Sequence, residues 1–499
     1  MSRLDRPGAR ELLDRVLDPG SWTSWDTPVR QPEPRTEAYD AELEQARSRT
    51  GLDESVLTGA GTIGGRPVAV IACEFAFLAG SIGVAAAERL VVAVERATAE
   101  RLPLVAAPTS GGTRMQEGAM AFLQMVKISA AIEAHRRARL PYLVYLRHPT
   151  TGGVFASWGS LGHITAAEPG ALVGFLGPRV YEALYGGPFP KGVQLSENLM
   201  DHGLIDAVVA SEDLRAVAMD VLEVVTSPRE GLPDVGEPPD EPLADVPAWD
   251  SISRSRREER PGVRRLLRTA ANTVTPLQGT GQGETGPALV LALARFGGAP
   301  CVLLGQDRRG QQTSLLGPAD LREARRGMRL ATELDLPLVT VIDTAGAALS
   351  KEAEEGGLAG EIARCLAELV LLRAPTLCLL LGQGGGGGAL ALLPADRVVA
   401  AQHAWLSPLP PEGASVIVHR TVERAPEVAQ AQGVRSLDLL RSGIVDRVVA
   451  ERPDAADEPE AFLRRLGQVL EHELVALLEQ PDEQRLAGRL SRYRALGLA

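Results

Sequence analysis

The chain has 499 residues, of which 45% are hydrophobic and 23% are charged, so it can bury large cores, and its length suggests roughly two to four domains. A formal net charge of −12 argues against a nucleic-acid partner, because neutralising phosphates requires clustered Lys and Arg. The N-terminal segment MSRLDRPGARELLDRVLDPG is charged throughout, and no apolar run reaches the roughly 18 residues of a membrane helix. We therefore expect a cytoplasmic protein with no membrane partner.

Two amphipathic segments open the chain, ARELLDRVLDPGSW and TEAYDAELEQARSRTGL, and predict an N-terminal helical cap. A strand in VAVIACEF, a helix in IGVAAAERLVVAVERATAERL, a strand in PLVAAP and a helix over about residues 114–139 follow. This alternation of short strands and longer helices predicts a layered α/β fold with parallel strands.

The second part of the chain repeats the first. RLPLVAAPTSGG begins at residue 101 and DLPLVTVIDTAG at residue 335, and each predicts a strand that runs into a glycine turn. Gly152 lies 50 residues after Leu102, and Gly387 lies 51 residues after Leu336. HGLIDAVVA and SGIVDRVVA then close the two copies in the same order. The spacing predicts two tandem copies of one unit.

A segment rich in proline and acidic residues separates the two copies. SPREGLPDVGEPPDEPLADVP, residues 227–247, contains six prolines and no periodic apolar pattern, so it predicts an extended linker. We accordingly predict four regions: an N-terminal helical extension at 1–60, a first domain at 61–226, a linker at 227–250 and a second domain at 251–499.

Both copies place adjacent glycines between a buried strand and a helix, in HPTTGGVFASWG and in LLGQGGGGGALALL. Such a junction directs free backbone N–H groups outward at the positive end of the helix, where they can hold an anion; a close helix-packing contact is the alternative interpretation. Phosphate is one candidate anion, although neither turn matches a P-loop or a well-formed dinucleotide motif. The other candidate is an oxyanion that forms during a reaction, such as an enolate or a ureido oxygen.

Conventional catalytic side chains are absent from the sequence patterns: there is no H-E-x-x-H, no G-x-S-x-G and no zinc-ligand spacing. His148 precedes one glycine turn, where we favour a positioning or packing role. Asp343 ends a strand, where we favour capping of the following turn. The four cysteines are scattered and predict buried free thiols. The chemistry would therefore depend on backbone donors.

At this point the motifs become recognisable. SGGTRMQEGAMAFLQMVKISAA and PTTGGVFASWGSLGHITAAEPGALVGFLGPRV resemble the β subunit of bacterial acetyl-CoA carboxylase carboxyltransferase, over about residues 10–209. LREARRGMRLATELDLPLVTVIDTAGA, GQGGGGGALAL and SPLPPEGASVI resemble the α subunit of the same enzyme. The β-then-α order is similar to the fused actinobacterial acyl-CoA carboxylase carboxyltransferases. The resemblance implies two tandem crotonase-like (ClpP-like) domains of the ββα-superhelix type.

The resemblance also implies an activity, in which a carboxyl group passes from carboxybiotin to the α-carbon of a short acyl-CoA, with acetyl-CoA to malonyl-CoA as the first expectation. Such a reaction builds one oxyanion on the thioester and one on the biotin ring, which matches two donor pairs. By position, Gly152 and Gly153 would hold the thioester enolate, and Gly387 and Gly388 the biotin carbonyl. The CoA side would be lined by Gly80, Ser81, Ser110, Gly111, Gly112 and Arg114, with Arg114 on a CoA phosphate.

The resemblance further implies partners. The chain has neither a biotin-accepting Met-Lys-Met hairpin nor an ATP-binding carboxylase domain, so a biotinylated carrier or biotin carboxylase subunit is expected in trans. The family shares its active site between halves of different protomers, which implies at least a homodimer. The cysteine-rich zinc ribbon of many bacterial β subunits is absent, so no metal is expected.

The second half departs from the family pattern on the biotin side. IDTAGAAL stands where IDTPGAY-like sequences are typical, Gln383 and Gly386 stand where Glu and Ser are frequent, and RRGQQTSLLGPADL replaces a longer basic segment. Because of these departures, two alternatives to carboxyl transfer stay open. One is a biotin-independent decarboxylase of malonyl thioesters, and the other is a non-catalytic scaffold subunit of a carboxylase complex.

Overall fold

The chain forms two compact units, each built around one sheet. The computed structural model describes residues 6–28, 30–229, 231–239 and 241–497. The first unit runs to Leu222 and includes Gly281–Gly283, and the second comprises Glu223–Thr280 and the residues from Glu284 onward. The parts of the predicted terminal and linker regions at residues 1–5, 29, 230, 240, 498 and 499 lie outside the described residues.

The first unit contains a seven-stranded sheet in the order β1-β2-β3-β4-β5-β7-β9, and a two-stranded sheet formed by β6 and β8. The β1/β2 and β2/β3 pairs are antiparallel, and the remaining pairs are parallel. The strands are β1 (Thr23–Ser24), β2 (Val56–Ile63), β3 (Arg66–Cys73), β4 (Leu104–Ala107), β5 (Tyr142–Leu146), β6 (Thr150–Thr151), β7 (Ile164–Ala167), β8 (Val173–Gly174) and β9 (Ala207–Val208).

The longest helices of this unit pack on each other and on the sheet. The helices are α1 (Ala9–Val16), α2 (Glu37–Thr50), α3 (Val84–Ala99), α4 (Gly118–Arg137), α5 (Gly152–Phe155), α6 (Pro178–Tyr185), α7 (Ser196–Asp201) and α8 (Leu214–Val225). Helix α3 buries Ala87, Leu90, Val94 and Ala97, whose spacing of three or four residues places them on one face. That stripe joins the residues of β3, β4 and β5 in a single apolar core.

The second unit repeats this topology in a sheet of order β10-β11-β12-β13-β14-β15-β16. Its first two pairs are again antiparallel and the others are parallel. The strands are β10 (Thr273–Leu277), β11 (Leu289–Phe296), β12 (Ala299–Gln306), β13 (Leu338–Thr344), β14 (Thr376–Gly384), β15 (Arg397–Ala401) and β16 (Arg447–Val449). Strand β13 is buried along its whole length, as expected for a parallel strand covered on both faces.

The helices of the second unit flank the sheet at corresponding places. They are α9 (Ala248–Ser255), α10 (Val263–Ala270), α11 (Gly310–Thr313), α12 (Pro318–Glu333), α13 (Lys351–Glu355), α14 (Leu358–Val370), α15 (Gly386–Leu390), α16 (Pro411–His419), α17 (Ala425–Gln432), α18 (Ser436–Arg441), α19 (Pro459–Leu478) and α20 (Asp482–Ala495). Proline opens α12, where its fixed φ favours the first turn, and Asp320 accepts the Gly317 N–H at 2.7 Å to close the helix start.

The repeat predicted from LPLV is confirmed, because the two LPLV segments lead into β4 and β13, which occupy the same place in the two sheets. The predicted N-terminal helices correspond to α1 and α2. Strand β2 begins at Val56, so the first sheet starts before the boundary predicted at residue 61. That boundary and the others remain predictions.

The predicted linker belongs to the second unit, which begins at Glu223. Residues 231–239 and 241–247 contain no helix or strand. Its carboxylates pair with arginines of the second unit: Glu237 with Arg447 at 2.7 Å, and Asp245 with Arg435 at 2.6 Å.

Three further expectations concern cysteines, metals and membranes. All four cysteines are free and buried, as predicted. Within the described ranges, no cluster of His, Cys, Asp and Glu is arranged to hold a metal ion. Every helix in this part of the chain is too short or too polar to cross a bilayer.

Candidate functional site

Three turns of the first unit converge at the carboxyl ends of β3, β4 and β5. Parallel bridges join Ile82 to Thr113 and Ser110 to Thr150. The Gly111 N–H donates to the Ala79 carbonyl at 2.9 Å. The sequence-predicted residues at 80–81, 110–112 and 152–153 are therefore brought together.

Close packing of these turns explains two of the glycines. Gly80 has a φ of +62°, and a Cβ added there would lie 2.1 Å from the Thr109 carbonyl oxygen. Gly152 has a φ of +63°, and a Cβ added there would lie 3.4 Å from the Cα of Gly112. A side chain at either position would strain the backbone or push the turns apart.

Burial divides the residues predicted to line the CoA side. Gly80, Ser110 and Gly112 are buried, and the Ser110 hydroxyl accepts the Gly112 N–H at 3.0 Å, so these three residues shape the turns from beneath. Gly111 is exposed and Ser81 is partly exposed, which leaves these two residues at the surface of the turns.

The first glycine bend offers a different pair of amides from the predicted one. The Gly152 N–H donates to the Phe175 carbonyl at 3.0 Å, so this amide already has an acceptor within the protein. Gly153 and Val154 follow in the first turn of α5, where N–H groups have no partner within the helix. Neither amide has a backbone acceptor among the described residues. The amides of this bend without a backbone acceptor are thus those of Gly153 and Val154, and no side-chain signal in the sequence could have indicated Val154.

Arg114 does not fit the expectation that it contacts a CoA phosphate. Its side chain has no exposed surface and forms a two-pronged ion pair with Glu54, in which Nη1 lies 2.9 Å from Oε2. It also donates to the Ser81 carbonyl at 2.8 Å. Burial opposes the charge on Glu54, but the Arg114 guanidinium outweighs it and holds the pKa of that carboxyl below its usual value. Arg114 therefore ties two turns together from inside the protein.

A second carboxylate continues this buried network. Glu117 accepts the Tyr39 hydroxyl at 2.5 Å and the Val84 N–H, the first of α3, at 2.6 Å. Burial and the Glu117 hydrogen bond raise the pKa of Tyr39 well above its ordinary value, despite the nearby Arg114. The phenol is therefore neutral and serves as a hydrogen-bond donor.

The second glycine bend lies where β14 leads into α15. The Gly385 N–H donates to Thr344 and the Gly386 N–H to Ser407, each at 2.9 Å. Gly387 and Gly388, in the first turn of α15, have amides without a backbone acceptor in the described part of the chain. These are the two glycines at which the sequence predicts donors to a ligand, and that role remains a prediction.

The two bends are equivalent, but the matching glycines differ by one residue from the pairing of Gly152 with Gly387 that the sequence indicated. Gly152 corresponds to Gly386, because each begins its helix, each has a φ of +63° and each donates its N–H to a neighbouring carbonyl. Gly386 also lies 50 residues after Leu336, which is the spacing found for Gly152. The free pair of the first bend consequently corresponds to the free pair of the second.

Side chains pack closely around the second bend. A Cβ added at Gly387 would lie 2.9 Å from Ile362 Cδ1, and one added at Gly388 would lie 2.9 Å from Leu316 Cδ2. From below, Gln306 Nε2 donates to the Gly388 carbonyl at 2.7 Å, and this fixes the direction of the peptide. The bend is thus closely packed and contains two amides without a backbone acceptor in the described part of the chain.

Asp343 supports this bend in a way that differs from the prediction. Its carboxylate pairs with Arg308 at 3.0 Å and accepts the Gln383 N–H at 3.1 Å, so it braces β14. The turn after β13 is capped by the next residue, since the Thr344 hydroxyl accepts the Gly346 N–H at 3.1 Å.

His148 has the packing role that the sequence favoured. Its Nδ1 accepts the Leu172 N–H at 3.0 Å, and burial lowers the pKa of the ring to about 4. A neutral imidazole with this nitrogen engaged orders the loop before β8.

Repeated crotonase-like units, each with a glycine bend that presents unpaired amides, define a protein that can stabilise oxyanions on its backbone. A carboxyl transferase domain model matches residues 6–486. Probable biotin-dependent acyl-coenzyme A carboxylase beta3 subunits of Mycobacterium tuberculosis and Mycobacterium bovis are 64% identical over 490 residues, and the match covers 98% of both chains. The acetyl-coenzyme A carboxylase carboxyl transferase subunits beta/alpha of Salinispora tropica are 37% identical over 100% of this chain and 91% of theirs.

Solved structures agree on the fold. Transcarboxylase 12S with methylmalonyl-coenzyme A bound superimposes with a TM-score of 0.72 at 21% identity, over 92% of this chain and 89% of that one. A single-chain, multi-domain long-chain acyl-CoA carboxylase gives a TM-score of 0.70 at 19% identity, over 92% of this chain and 46% of that one. The chain belongs to the carboxyl transferase domain family, as an acyl-CoA carboxylase carboxyltransferase subunit of the biotin-dependent type.

Proposed function

We propose that this chain transfers a carboxyl group from carboxybiotin, carried by a partner protein, to the α-carbon of a short acyl-CoA. Acetyl-CoA, giving malonyl-CoA for fatty acid synthesis, is the first substrate to test. The observation that carries the proposal is the pair of free backbone amides in each glycine bend, at Gly153 with Val154 and at Gly387 with Gly388.

The first bend would act on the thioester. Removing an α-proton from an acyl-CoA moves negative charge onto the thioester oxygen, and two amides aimed at that oxygen stabilise the charge without moving. One such donor is worth about 3 kcal/mol of barrier. Gly111 and Ser81, at the surface of the adjoining turns, would contact the CoA portion.

The second bend would hold the ring carbonyl of biotin through the amides of Gly387 and Gly388. When bound, carboxybiotin supplies the carboxyl group and a ring nitrogen that can accept a proton. The chain itself orients the carbonyl, and the Gln306 contact to Gly388 keeps that peptide from turning. His148 is not placed as a base, because its Nδ1 is engaged and its pKa is lowered to about 4 by burial.

Relatives support the choice of substrate and partners. The Salinispora tropica relative carries acetyl-coenzyme A in its name, and the mycobacterial relatives carry the broader acyl-coenzyme A. We extend the same assembly to this chain: a biotinylated carrier or biotin carboxylase subunit in trans, a homodimer or larger oligomer, and a cytoplasmic location.

A reverse assay tests the proposal directly. Purified chain is mixed with malonyl-CoA, with and without free biotin, and acetyl-CoA formation is followed by chromatography. We expect formation that depends on biotin. Loss of CO2 at the same rate without biotin would establish the decarboxylase instead, and binding or turnover of neither compound would establish the scaffold. Forward assays with the biotinylated partner and acyl-CoAs of increasing length then compare kcat/KM values.

A further inference from the structure

The second unit contains an arginine-rich cavity that the proposed reaction does not use. It has a volume of about 440 Å³ and lies between the segment that precedes α10 and the loop that follows β12. This volume is in the range of small-molecule sites, roughly 300–1,000 Å³. Six guanidinium groups line it, those of Arg260, Arg264, Arg265, Arg268, Arg308 and Arg309.

Carboxylates balance only part of this charge. Glu258 and Glu259 also line the cavity, and four of the six arginines pair with carboxylates: Arg260 with Glu451, Arg264 with Asp307, Arg265 with Glu460 and Arg308 with Asp343. Arg268 and Arg309 are exposed and have no ion-pair partner among the described residues. The guanidinium groups of Arg268 and Arg309 are therefore free to bind an anion.

Arg260 provides a second unsatisfied group in the cavity wall. Its side chain is 3% exposed and two of its nitrogens pair with Glu451, at 2.6 and 2.7 Å. Its Nε is buried and has no hydrogen-bond partner within the described ranges. A buried donor without an acceptor is costly, so this wall of the cavity contains an unsatisfied hydrogen-bonding group.

The first unit shows what occupies the equivalent place there. RPGARELL at the start of α1 and RPGVRRLL at the start of α10 are copies of one motif. At α1, the Ala9 N–H donates to Glu74 Oε2 at 2.8 Å, so a carboxylate of the chain itself caps the helix start. Glu74 is the first residue after β3.

The corresponding carboxylate of the second unit points elsewhere. Asp307 is the first residue after β12, as Glu74 is the first after β3. The Asp307 N–H donates to the carbonyl of Ala288, just before β11, and the Glu74 N–H donates to that of Ser55, just before β2, each at 2.8 Å. The two residues therefore occupy matching positions. Asp307 is shorter by one methylene and pairs with Arg264 at 2.7 Å. The first N–H of α10, at Val263, has no acceptor among the described residues.

We propose that this cavity binds an oxyanion of the phosphate class, either inorganic phosphate or the phosphoryl group of a small molecule. The anion takes the place that the Glu74 carboxylate fills at α1. It meets the free N–H groups and positive end of α10 together with the guanidinium groups of Arg268 and Arg309. Charge-assisted hydrogen bonds from guanidinium groups and helix N-terminal amides are the usual means of holding phosphate.

Calorimetric titration of the full-length chain tests this site. Inorganic phosphate and pyrophosphate are added at constant ionic strength, with sodium chloride as the reference. We expect saturable binding to the wild type, and binding weaker by at least about tenfold in the double variant Arg268→Gln/Arg309→Gln. The matched control Arg373→Gln/Arg494→Gln changes two exposed arginines outside the cavity and should bind as the wild type does.

A second variant uses the comparison between the two helix starts. Asp307→Glu lengthens the carboxylate to match Glu74, so it should cap α10, fill the anion position and abolish phosphate binding while the melting temperature is kept. The proposal is overturned if the wild type shows no binding beyond the chloride reference, or if both the double variant and Asp307→Glu bind as tightly as the wild type. Tighter binding of ADP than of pyrophosphate would identify a phosphorylated small molecule, and equal binding would identify the free anion; either result upholds the site.

Discussion

The two glycine bends follow the same backbone path but are supported by different chemistry. Beside the first bend, a fully buried ion pair of Arg114 with Glu54 holds the adjoining turns. The second bend is held by a neutral amide, Gln306, which donates to Gly388 and accepts the Asp343 N–H at 3.0 Å, and the strand before it is braced by the partly exposed pair of Asp343 with Arg308. The repeated backbone therefore does not depend on one kind of side-chain support. The difference predicts that the two halves respond unequally to substitution beneath the bends.

The largest effect is expected from breaking the buried ion pair. Arg114→Met leaves the Glu54 carboxylate buried without a cation, which should destabilise the first unit by about 3–5 kcal/mol. Differential scanning calorimetry of the full chain measures the loss. The double variant Arg114→Met/Glu54→Leu removes both charges and should recover most of it. A single variant as stable as the wild type would show that the pair does not support the turns.

The next largest effect is on turnover and should be similar for the two bends. Gly153→Val places a Cβ 2.9 Å from Thr113 Oγ1, and Gly387→Val places one 2.9 Å from Ile362 Cδ1, so either side chain displaces the bend. Biotin-dependent turnover of malonyl-CoA should fall about 10²–10³-fold in each variant. Gly236→Val is the control, because nothing lies within 4 Å of a Cβ added at that glycine. Turnover unchanged in one variant would remove that bend from the reaction.

A smaller loss is expected from the neutral support of the second bend. Gln306→Met leaves the Gly388 carbonyl and the Asp343 N–H without their partner but strands no charge. We expect a destabilisation of about 1–3 kcal/mol, below that of Arg114→Met. The same calorimetry compares the two variants side by side. If Gln306→Met were the more damaging, charge pairing would not be what distinguishes the two halves.

The smallest effect is expected on the pH dependence of stability, where buried carboxyls with raised pKa values differ from those with lowered ones. Burial raises the pKa of Glu323 to about 7, and burial raises that of Asp320 to about 6. A carboxyl whose pKa is higher in the folded state holds a proton that the unfolded chain has released, so folding stability falls as pH rises from about 4 to 7. Glu54, whose pKa is lowered, contributes stability that is lost in acid.

Glu323→Gln should therefore flatten the decline in melting temperature between pH 5 and pH 8, by about 2–4 °C. Glu197→Gln is a control, since that carboxyl is in the first unit and its pKa is lowered. Melting curves at closely spaced pH values measure how steeply the melting temperature of each variant declines. A decline as steep as that of the wild type would mean that Glu323 does not titrate in this range.

Much of this architecture could be predicted from local patterns. The LPLV segments, the glycine turns and the amphipathic N-terminal segments indicate their own structure, because strand and helix periodicity is a property of neighbouring residues. The repeat then places β4 opposite β13 in the two sheets. The spacing between the two copies also predicted the glycine bends to within one residue. It paired Gly152 with Gly387, whereas the structure pairs Gly152 with Gly386.

The errors have physical causes. A run of five glycines fixes no register, so the sequence could not distinguish Gly386 from Gly387 as the first helical residue. Arg114 pairs with Glu54, which lies 60 positions earlier, and a contact of that range leaves no local pattern. The engaged amide of Gly152 depends on the Phe175 carbonyl in the same way. The roles of Arg114 and Gly152 thus depend on partners that are distant in sequence, which local patterns do not indicate.

The proline-rich segment between the units has a consequence for how such a gene can be divided. Its acidic residues Glu237 and Asp245 are bound to arginines of the second unit, whereas each sheet is complete within its own unit. Two open reading frames separated just upstream of this stretch would each encode a polypeptide with an intact sheet, and the acidic stretch would travel with the downstream product. A start codon placed after it would instead leave Arg435 and Arg447 without those counter-ions.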